Sequence, residues 1–361
     1  MKRIICCVTN DLSFDQRMIR ICNSLTSFGY EVVLCGRELP ASIPLVNRAF
    51  RQHRIRCIFN KGKLFYVEFN LRLFCFLLKE KVDAINAIDL DTAAASLMAA
   101  KLKGTKLVYD AHELFTEVPE VINRPLTKKI WEILESFFIP RTNLAYTVSE
   151  SIASIFTKKY DKSVLTIRNV PLLQEFTPVQ KERAIIYQGA LNQGRGLEFL
   201  LLAMQNIDTQ LWLAGDGDIA PALKRQVREL HLENKVHFLG KLTPEALLQK
   251  TKQALAGFNV LEAQGLSYYY SLSNKTFDYI HAEIPQVISA FPEMKLLNQS
   301  FQFALEIEEI SAEEISKAFN RLLSNETLYN TLTNNCAKAK QVLNWQNESL
   351  QLKQYYEQLF R

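Results

Sequence analysis

Three short stretches carry residue types able to hold a phosphate-bearing ligand. The first is Tyr187-Gln188-Gly189-Ala190-Leu191-Asn192-Gln193-Gly194-Arg195-Gly196. Its glycines let the backbone approach a ligand closely, and a helix opening behind them draws an anion. Arg195 adds a fork-shaped cation suited to a diphosphate. The second is Trp212-Leu213-Ala214-Gly215-Asp216-Gly217-Asp218, followed by Val236-His237-Phe238-Leu239-Gly240-Lys241. The third, Ser273-Asn274-Lys275-Thr276-Phe277-Asp278-Tyr279, begins a helix. Lys275 and Asp278 lie three apart and so share a helix face. A cation for phosphate and a carboxylate for ribose hydroxyls together grip a nucleotide. Taken singly, each stretch is also an ordinary strand–helix turn or surface ion pair.

These stretches need a scaffold that brings strand ends together, and the periodicity supplies one. Short apolar runs alternate with helical patterns, which implies βαβ units and parallel sheets. Strands are expected at Ile4–Val8, Val32–Cys35, Ile55–Phe59, Phe65–Phe69, Ala84–Ile88, Lys106–Tyr109, Leu144–Val148 and Val164–Ile167. Helical patterns cover 91–103, 126–139 and 150–159. Asn169–Pro178 breaks the alternation with two prolines. It then restarts at Ile185–Tyr187 and ends in a helical tail from Ile310. The expected architecture is α/β, with two doubly wound domains. Residues 1–170 form the first, 171–182 a linker, 183–340 the second and 341–361 a C-terminal helix that packs back on the first. Ligands of such sheets bind beyond the carboxyl ends of the strands.

Composition bounds the function. The 361 residues fit two domains, and 48% hydrophobic with 22% charged residues is a globular balance. No apolar run reaches the ~18–20 residues of a membrane span. The seven cysteines sit in apolar runs with no C-x-x-C spacing, which reads as buried thiols in a reducing cytosol. Residues 1–180 hold 25 Lys+Arg against 18 Asp+Glu, and residues 181–361 hold 18 against 20. The excess concentrates in 48–81, with nine bases and two acids among Ile55, Ile58, Phe59, Phe65, Tyr66, Phe69, Phe74 and Phe76. Such a stretch suits an anionic membrane surface or a phosphorylated acceptor, although for most of these residues a core position or a solvated base is the simpler reading. No nucleic-acid motif accompanies the charge.

In combination, the Gly-rich turn with its base, Gly215-Asp216-Gly217, Phe238-Leu239-Gly240 and the Asn274-Lys275 helix start resemble the C-terminal domain of glycosyltransferase family 4. The first half carries the likeness too, in Thr9-Asn10-Asp11-Leu12-Ser13-Phe14-Asp15-Gln16-Arg17, Val108-Tyr109-Asp110-Ala111-His112-Glu113, Thr147-Val148-Ser149-Glu150 and Arg168-Asn169-Val170-Pro171. The resemblance spans residue 4 to about 295 and points to a bacterial branch. It implies the GT-B fold, two Rossmann-like domains facing a central cleft, and a retaining hexosyltransferase fed by a nucleotide-sugar. It implies a glycan or lipid-linked acceptor, in envelope or capsular polysaccharide synthesis, and a cytoplasmic, peripheral membrane location. No cofactor or metal is expected.

The resemblance also implies roles. Arg195 binds the donor diphosphate, and Lys275 replaces the base absent at Ala190. Gly189, Gly215, Gly217, Leu239 and Asn274 line the donor, and Asp278 meets its ribose. Glu262 is the nearest match to the family's first glutamate, but lies sixteen residues before Asp278 rather than eight. Glu283 stands where glycine is usual. His112 faces the donor sugar, and Asp15, Arg17 and Glu113 are acceptor-side candidates. Two other readings fit the same motifs. One is a sugar-nucleotide epimerase of this architecture, which would alter a nucleotide-sugar without an acceptor. The other is a non-catalytic nucleotide-sugar-binding assembly partner, which would bind donor without turnover.

Overall fold

A computed structural model describes every residue except Phe14 of the Thr9–Arg17 motif and Phe176 and Thr177 of the linker stretch, and omits the side chain of Glu120. The chain forms two compact units, Met1–Asn169 with Glu348–Arg361, and Val170–Asn347.

The first unit runs β1 (Arg3–Cys7), α1 (Gln16–Ser27), β2 (Glu31–Glu38), β3 (Arg51–Arg56), α2 (Gly62–Lys79), β4 (Ala84–Ile88), α3 (Ala93–Lys103), β5 (Lys106–Ala111), α4 (Pro119–Ile122), α5 (Pro125–Phe138), β6 (Leu144–Thr147), α6 (Glu150–Tyr160) and β7 (Leu165–Thr166). Its seven strands are parallel, in the order β3-β2-β1-β4-β5-β6-β7. The central strands are apolar runs because helices cover both sheet faces, and β4 is buried at every residue. Helix caps set the entries. Asp15 accepts from Met18 N at 3.0 Å to start α1, and Ser149 accepts from Ile152 N at 3.4 Å to start α6.

The second unit runs β8 (Ala184–Gln188), α7 (Leu197–Ala203), β9 (Gln210–Ala214), α8 (Ala220–Glu229), β10 (Val236–Gly240), α9 (Pro244–Gln253), β11 (Ala256–Asn259), α10 (Leu266–Tyr269), α11 (Asn274–His281), β12 (Gln286–Ser289), α12 (Pro292–Phe301), β13 (Ala304–Ile307), α13 (Ala312–Ser324) and α14 (Glu326–Val342). Its strands are parallel in the order β10-β9-β8-β11-β12-β13. The last helix, α15 (Trp345–Leu359), leaves this unit and from Glu348 on belongs to the first, where Glu348 accepts from Arg168 N at 2.9 Å and Tyr356 is buried.

Both sheets reverse direction at their first strand, at β1/β4 and at β8/β11, and the crevice beyond such a switch point is where doubly wound sheets hold ligands.

Two expected elements are corrected. The strand expected at Ile55–Phe59 lies at Arg51–Arg56 instead. Phe65–Phe69 is not a strand but the first half of α2. Aromatic and β-branched residues favour strands intrinsically, yet Phe65, Phe69, Leu73 and Leu77 recur every four residues and bury as one helical stripe. Helix α9 was not expected at all, although Thr243 caps it (Ala246 N donates to Oγ1, 3.3 Å) and Pro244 stands at its first position.

Candidate functional site

In the second unit the glycine turns after β8 and β9 form a single backbone-on-backbone floor. Gly189 N donates to Ala214 O at 2.9 Å, and Leu191 N donates to Asp216 O at 3.0 Å. A Cβ on Gly215 would lie 1.8 Å from Gly189 O, and one on Gly217 would lie 2.5 Å from Leu191 O. Only glycine permits this approach. The turn is also tied to the segment after β11, because Glu262 N donates to Gly194 O at 3.0 Å. Three strand ends therefore meet at the β8/β11 switch point.

Two cations meet there without a carboxylate between them. Arg195 Nη2 donates to Tyr268 Oη at 3.2 Å, and its guanidinium lies 4.7 Å from that ring centroid. Arg195 Nε is buried with no hydrogen-bond partner. Lys275, in the first turn of α11, is buried, with Nζ 5.2 Å from the centroid of Tyr187. Among the described residues neither cation forms an ion pair. Burial, then the nearby Arg195 charge, pushes the Lys275 ammonium down to about 7, and Asp278 offsets part of this. An arrangement that holds two cations together in low dielectric is completed by an anion.

Asp278 is half-buried and accepts from Gln188 Nε2 at 2.7 Å, while Thr251 Oγ1 donates to Gln188 Oε1 at 2.8 Å. The carboxylate is thus held beside the turn. Glu262 is half-buried and accepts from Gln264 Nε2 at 3.1 Å. The nine residues Gly265–Ser273 contain α10, which delivers Tyr268 to Arg195. Asn274 is exposed at the start of α11. Leu239, half-exposed where the β9–β10 register shifts, packs against the cluster that holds Trp212. The glycine replaced by Glu283 has a physical explanation. Glu283 adopts φ +54, the left-handed region glycine favours, and its carboxylate pairs with Lys340.

In the first unit His112 follows β5 at that unit's switch-point side. Its ring lies between two carboxylates, with Nδ1 3.7 Å from Asp89 and Nε2 3.5 Å from Asp110. Its backbone N donates to Asp89 Oδ1 at 2.8 Å. Burial alone would lower the imidazole pKa, but Asp110 and Asp89 raise it to about 9. His112 is therefore an imidazolium at neutral pH. Burial pushes Asp89 up to about 7 against the pull of His112, and pushes Asp91, which accepts from Thr9 Oγ1, up to about 6.

The acceptor-side candidates fall differently. Arg17 is a correction: it is buried, with Nη2 2.7 Å from Asp110 and Nη1 donating to Ile167 O at 3.0 Å, so it anchors Asp110 rather than facing an acceptor. Asp15 caps α1. Glu113 is half-buried, close enough for its charge to raise Asp89.

The sequence reading did not single out Gln188, Tyr268, Asp89 or Asp91. Three of these stand at or just after a strand's carboxyl end, where the switch-point rule looks for ligands. Tyr268 carried no such signal. Among the described residues no three His, Cys, Asp or Glu side chains gather as metal ligands would.

A family model described as Glycosyltransferase Family 4 matches residues 16–169, and one described as Glycosyl transferases group 1 matches residues 182–325. Among solved structures, the chain is similar to sucrose-phosphate synthase from Thermosynechococcus elongatus (18% identity, 100% of this chain and 99% of that one, TM-score 0.84). It is also similar to HepE from Anabaena in complex with UDP-glucose (14%, 99% and 100%, TM-score 0.79). A putative UDP-N-acetylglucosamine 2-epimerase from Listeria monocytogenes shares the fold more distantly (13%, 92% and 91%, TM-score 0.64). No curated protein sequence matches the chain.

Proposed function

The chain belongs to glycosyltransferase family 4 and is a GT-B glycosyltransferase, and from that premise we propose that it takes a sugar, with retention, from a nucleotide-sugar bound at the β8/β11 switch point of the second unit. The observation that carries this reading is the pair Arg195 and Lys275, two partly or fully buried cations with, among the described residues, no carboxylate paired to either. A sugar diphosphate supplies the missing anion. The glycine floor brings backbone close to it, and the positive end of α11 adds to the field. Asp278, steadied by Gln188, stands beside the turn where a ribose hydroxyl would meet a carboxylate.

The chemistry follows from charge. Breaking the C1–O bond leaves an oxocarbenium-like sugar and a nucleoside diphosphate that gains negative charge. Arg195 and Lys275 stabilise that charge as it develops, in a site where water does not screen it. The acceptor hydroxyl then bonds to C1 on the face the phosphate left, and its proton passes to the departing phosphate oxygen. Leaving-group neutralisation falls to the two side chains, so the reaction proceeds without a divalent cation. We assign the acceptor to the glycan or lipid-linked class, in bacterial envelope or capsular synthesis. HepE holds UDP-glucose, which makes UDP-sugars the first donors to try.

Incubation with a panel of UDP-sugars and glycan acceptors, with and without EDTA, tests the reading. The expected result is a new glycoside and free UDP, unaffected by EDTA. A UDP-sugar converted to its epimer without acceptor, or donor bound but never consumed across the panel, would count against transfer.

A further inference from the structure

Tyr268 comes from the part of the second unit where the family likeness fails. Glu262 lies sixteen residues before Asp278 rather than eight, and the extra length is the segment Gly265–Ser273 with its helix α10. That segment is built into the unit. Ser267 and Leu272 are buried, and the Tyr269 ring packs on Phe291 with 5.1 Å between centroids. Gln264, just before the segment, lies so close to the glycine turn that a Cβ on Gly194 would meet its Oε1 at 2.8 Å. Ser271 closes the far end, with its N and Oγ both donating to Tyr268 O, at 3.2 and 2.9 Å. Tyr268 is thereby held in place before any ligand arrives, which lowers the ordering cost of using it.

What the side chain offers follows from its hydroxyl. Tyr268 Oη accepts from Arg195 Nη2 at 3.2 Å. A phenol that accepts from a cation still carries its own proton, and a guanidinium has no acceptor to receive it. Among the described residues no group accepts that proton. The same hydroxyl belongs to the two-cation cluster. Tyr268 and Arg195 both lie close enough to Tyr187 to act on it electrostatically, and Lys275 Nζ is 5.2 Å from the Tyr187 ring. One hydroxyl proton and two cations thus converge, and all three favour an anion. A prop for Arg195 needs only the ring, which lies 4.7 Å from the guanidinium. The hydroxyl does something that a prop does not need. We propose that Tyr268 is a third ligand of the donor diphosphate, its hydroxyl donating to a phosphate oxygen beside Arg195 and Lys275. The inference rests on the nucleotide-sugar reading of this site and adds to it a neutral donor from a segment outside the family motifs.

Isothermal titration of wild-type protein and Tyr268→Phe with UDP, GDP, ADP and dTDP, and with the parent nucleosides, tests this. Phenylalanine keeps the ring beside Arg195 and removes only the hydroxyl. The diphosphate that wild-type protein binds best is expected to bind Tyr268→Phe at least about tenfold more weakly, since the lost bond is charge-assisted. The parent nucleoside is expected to bind both proteins equally, and the melting temperature without ligand stays at the wild-type value. A merely structural role would not single out the phosphates. Should Tyr268→Phe fold poorly, wild-type protein supplies a second measurement, nitration by tetranitromethane mapped by mass spectrometry. Saturating diphosphate is expected to protect Tyr268, and the nucleoside is not. Equal diphosphate affinity in wild type and Tyr268→Phe overturns the inference and leaves the site to Arg195 and Lys275. An equal loss for diphosphate and nucleoside overturns it too, as does nitration of Tyr268 undiminished by diphosphate. Wild-type protein that binds none of the four diphosphates instead overturns the nucleotide-sugar reading itself, and this inference with it.

Discussion

Lys275 is the residue whose chemistry most constrains the account. Its ammonium is held down to about 7 by burial and by Arg195, so near neutral pH it is about half protonated before ligand arrives. A bound diphosphate favours the charged form and raises that value. The sign follows: binding takes up a proton above the free-state pKa and none well below it. Affinity for UDP is therefore expected to be level below about pH 7 and to fall as the pH rises above it. Isothermal titration across that range checks this, and a level profile on both sides of pH 7 would remove Lys275 from the diphosphate site. His112 titrates elsewhere, at about 9, because Asp110 and Asp89 flank it. His112→Ala is expected to lower kcat roughly tenfold or more while changing donor affinity little, as fits a hydrogen bond that matters in turnover. Loss of donor affinity with kcat unchanged would make its role one of binding only. The motifs made Arg195, Lys275 and His112 legible as charged groups at strand ends. That Arg17 is internal was not legible, because its partner Asp110 lies ninety-three residues away and the pairing exists only in the folded sheet.

Elements carry the site through backbone contacts that side-chain motifs only hint at. Gly215 and Gly189 belong to separate turns in the sequence, yet their backbones touch, and a Cβ at Gly215 would overlap Gly189 O. Gly215 also has φ +151, a region L residues rarely adopt. Gly215→Ala is expected to cost more than about 3 kcal/mol of stability and to disturb donor binding, since relief of the overlap moves the β8 turn. Urea unfolding measures this, and a loss below about 1 kcal/mol would mean that the two turns are not so tightly joined. Most of the strands and helices were readable because parallel strands buried on both faces are plain apolar runs. Helix α2 was not, because its half-apolar surface blurs the helical period: a buried row and an exposed apolar row occupy opposite sides. Glu283 is a reverse case, in which a departure from the usual glycine is accommodated by a positive φ and the pairing with Lys340.

For the whole molecule, fold and family were open to sequence reading because glycine turns, helix starts and strand ends recur in a fixed order along both halves. The side chains that complete the candidate site, such as Tyr268 against Arg195 and Gln188 against Asp278, meet only in three dimensions, and no spacing rule announces them. The central claim is that an anionic nucleotide is gripped by Arg195 and Lys275 in the second unit. A thermal-shift comparison of wild-type protein with the Arg195→Ala/Lys275→Ala double variant, across nucleoside diphosphates, tests it directly. At a hundredfold excess over Kd a ligand adds about 2.7 kcal/mol to the native state, or roughly 5–10 °C in Tm for a unit of this size. The account predicts such a rise with at least one nucleoside diphosphate in the wild type and its loss in the double variant. No rise with any nucleotide, or the same rise in both proteins, would contradict it.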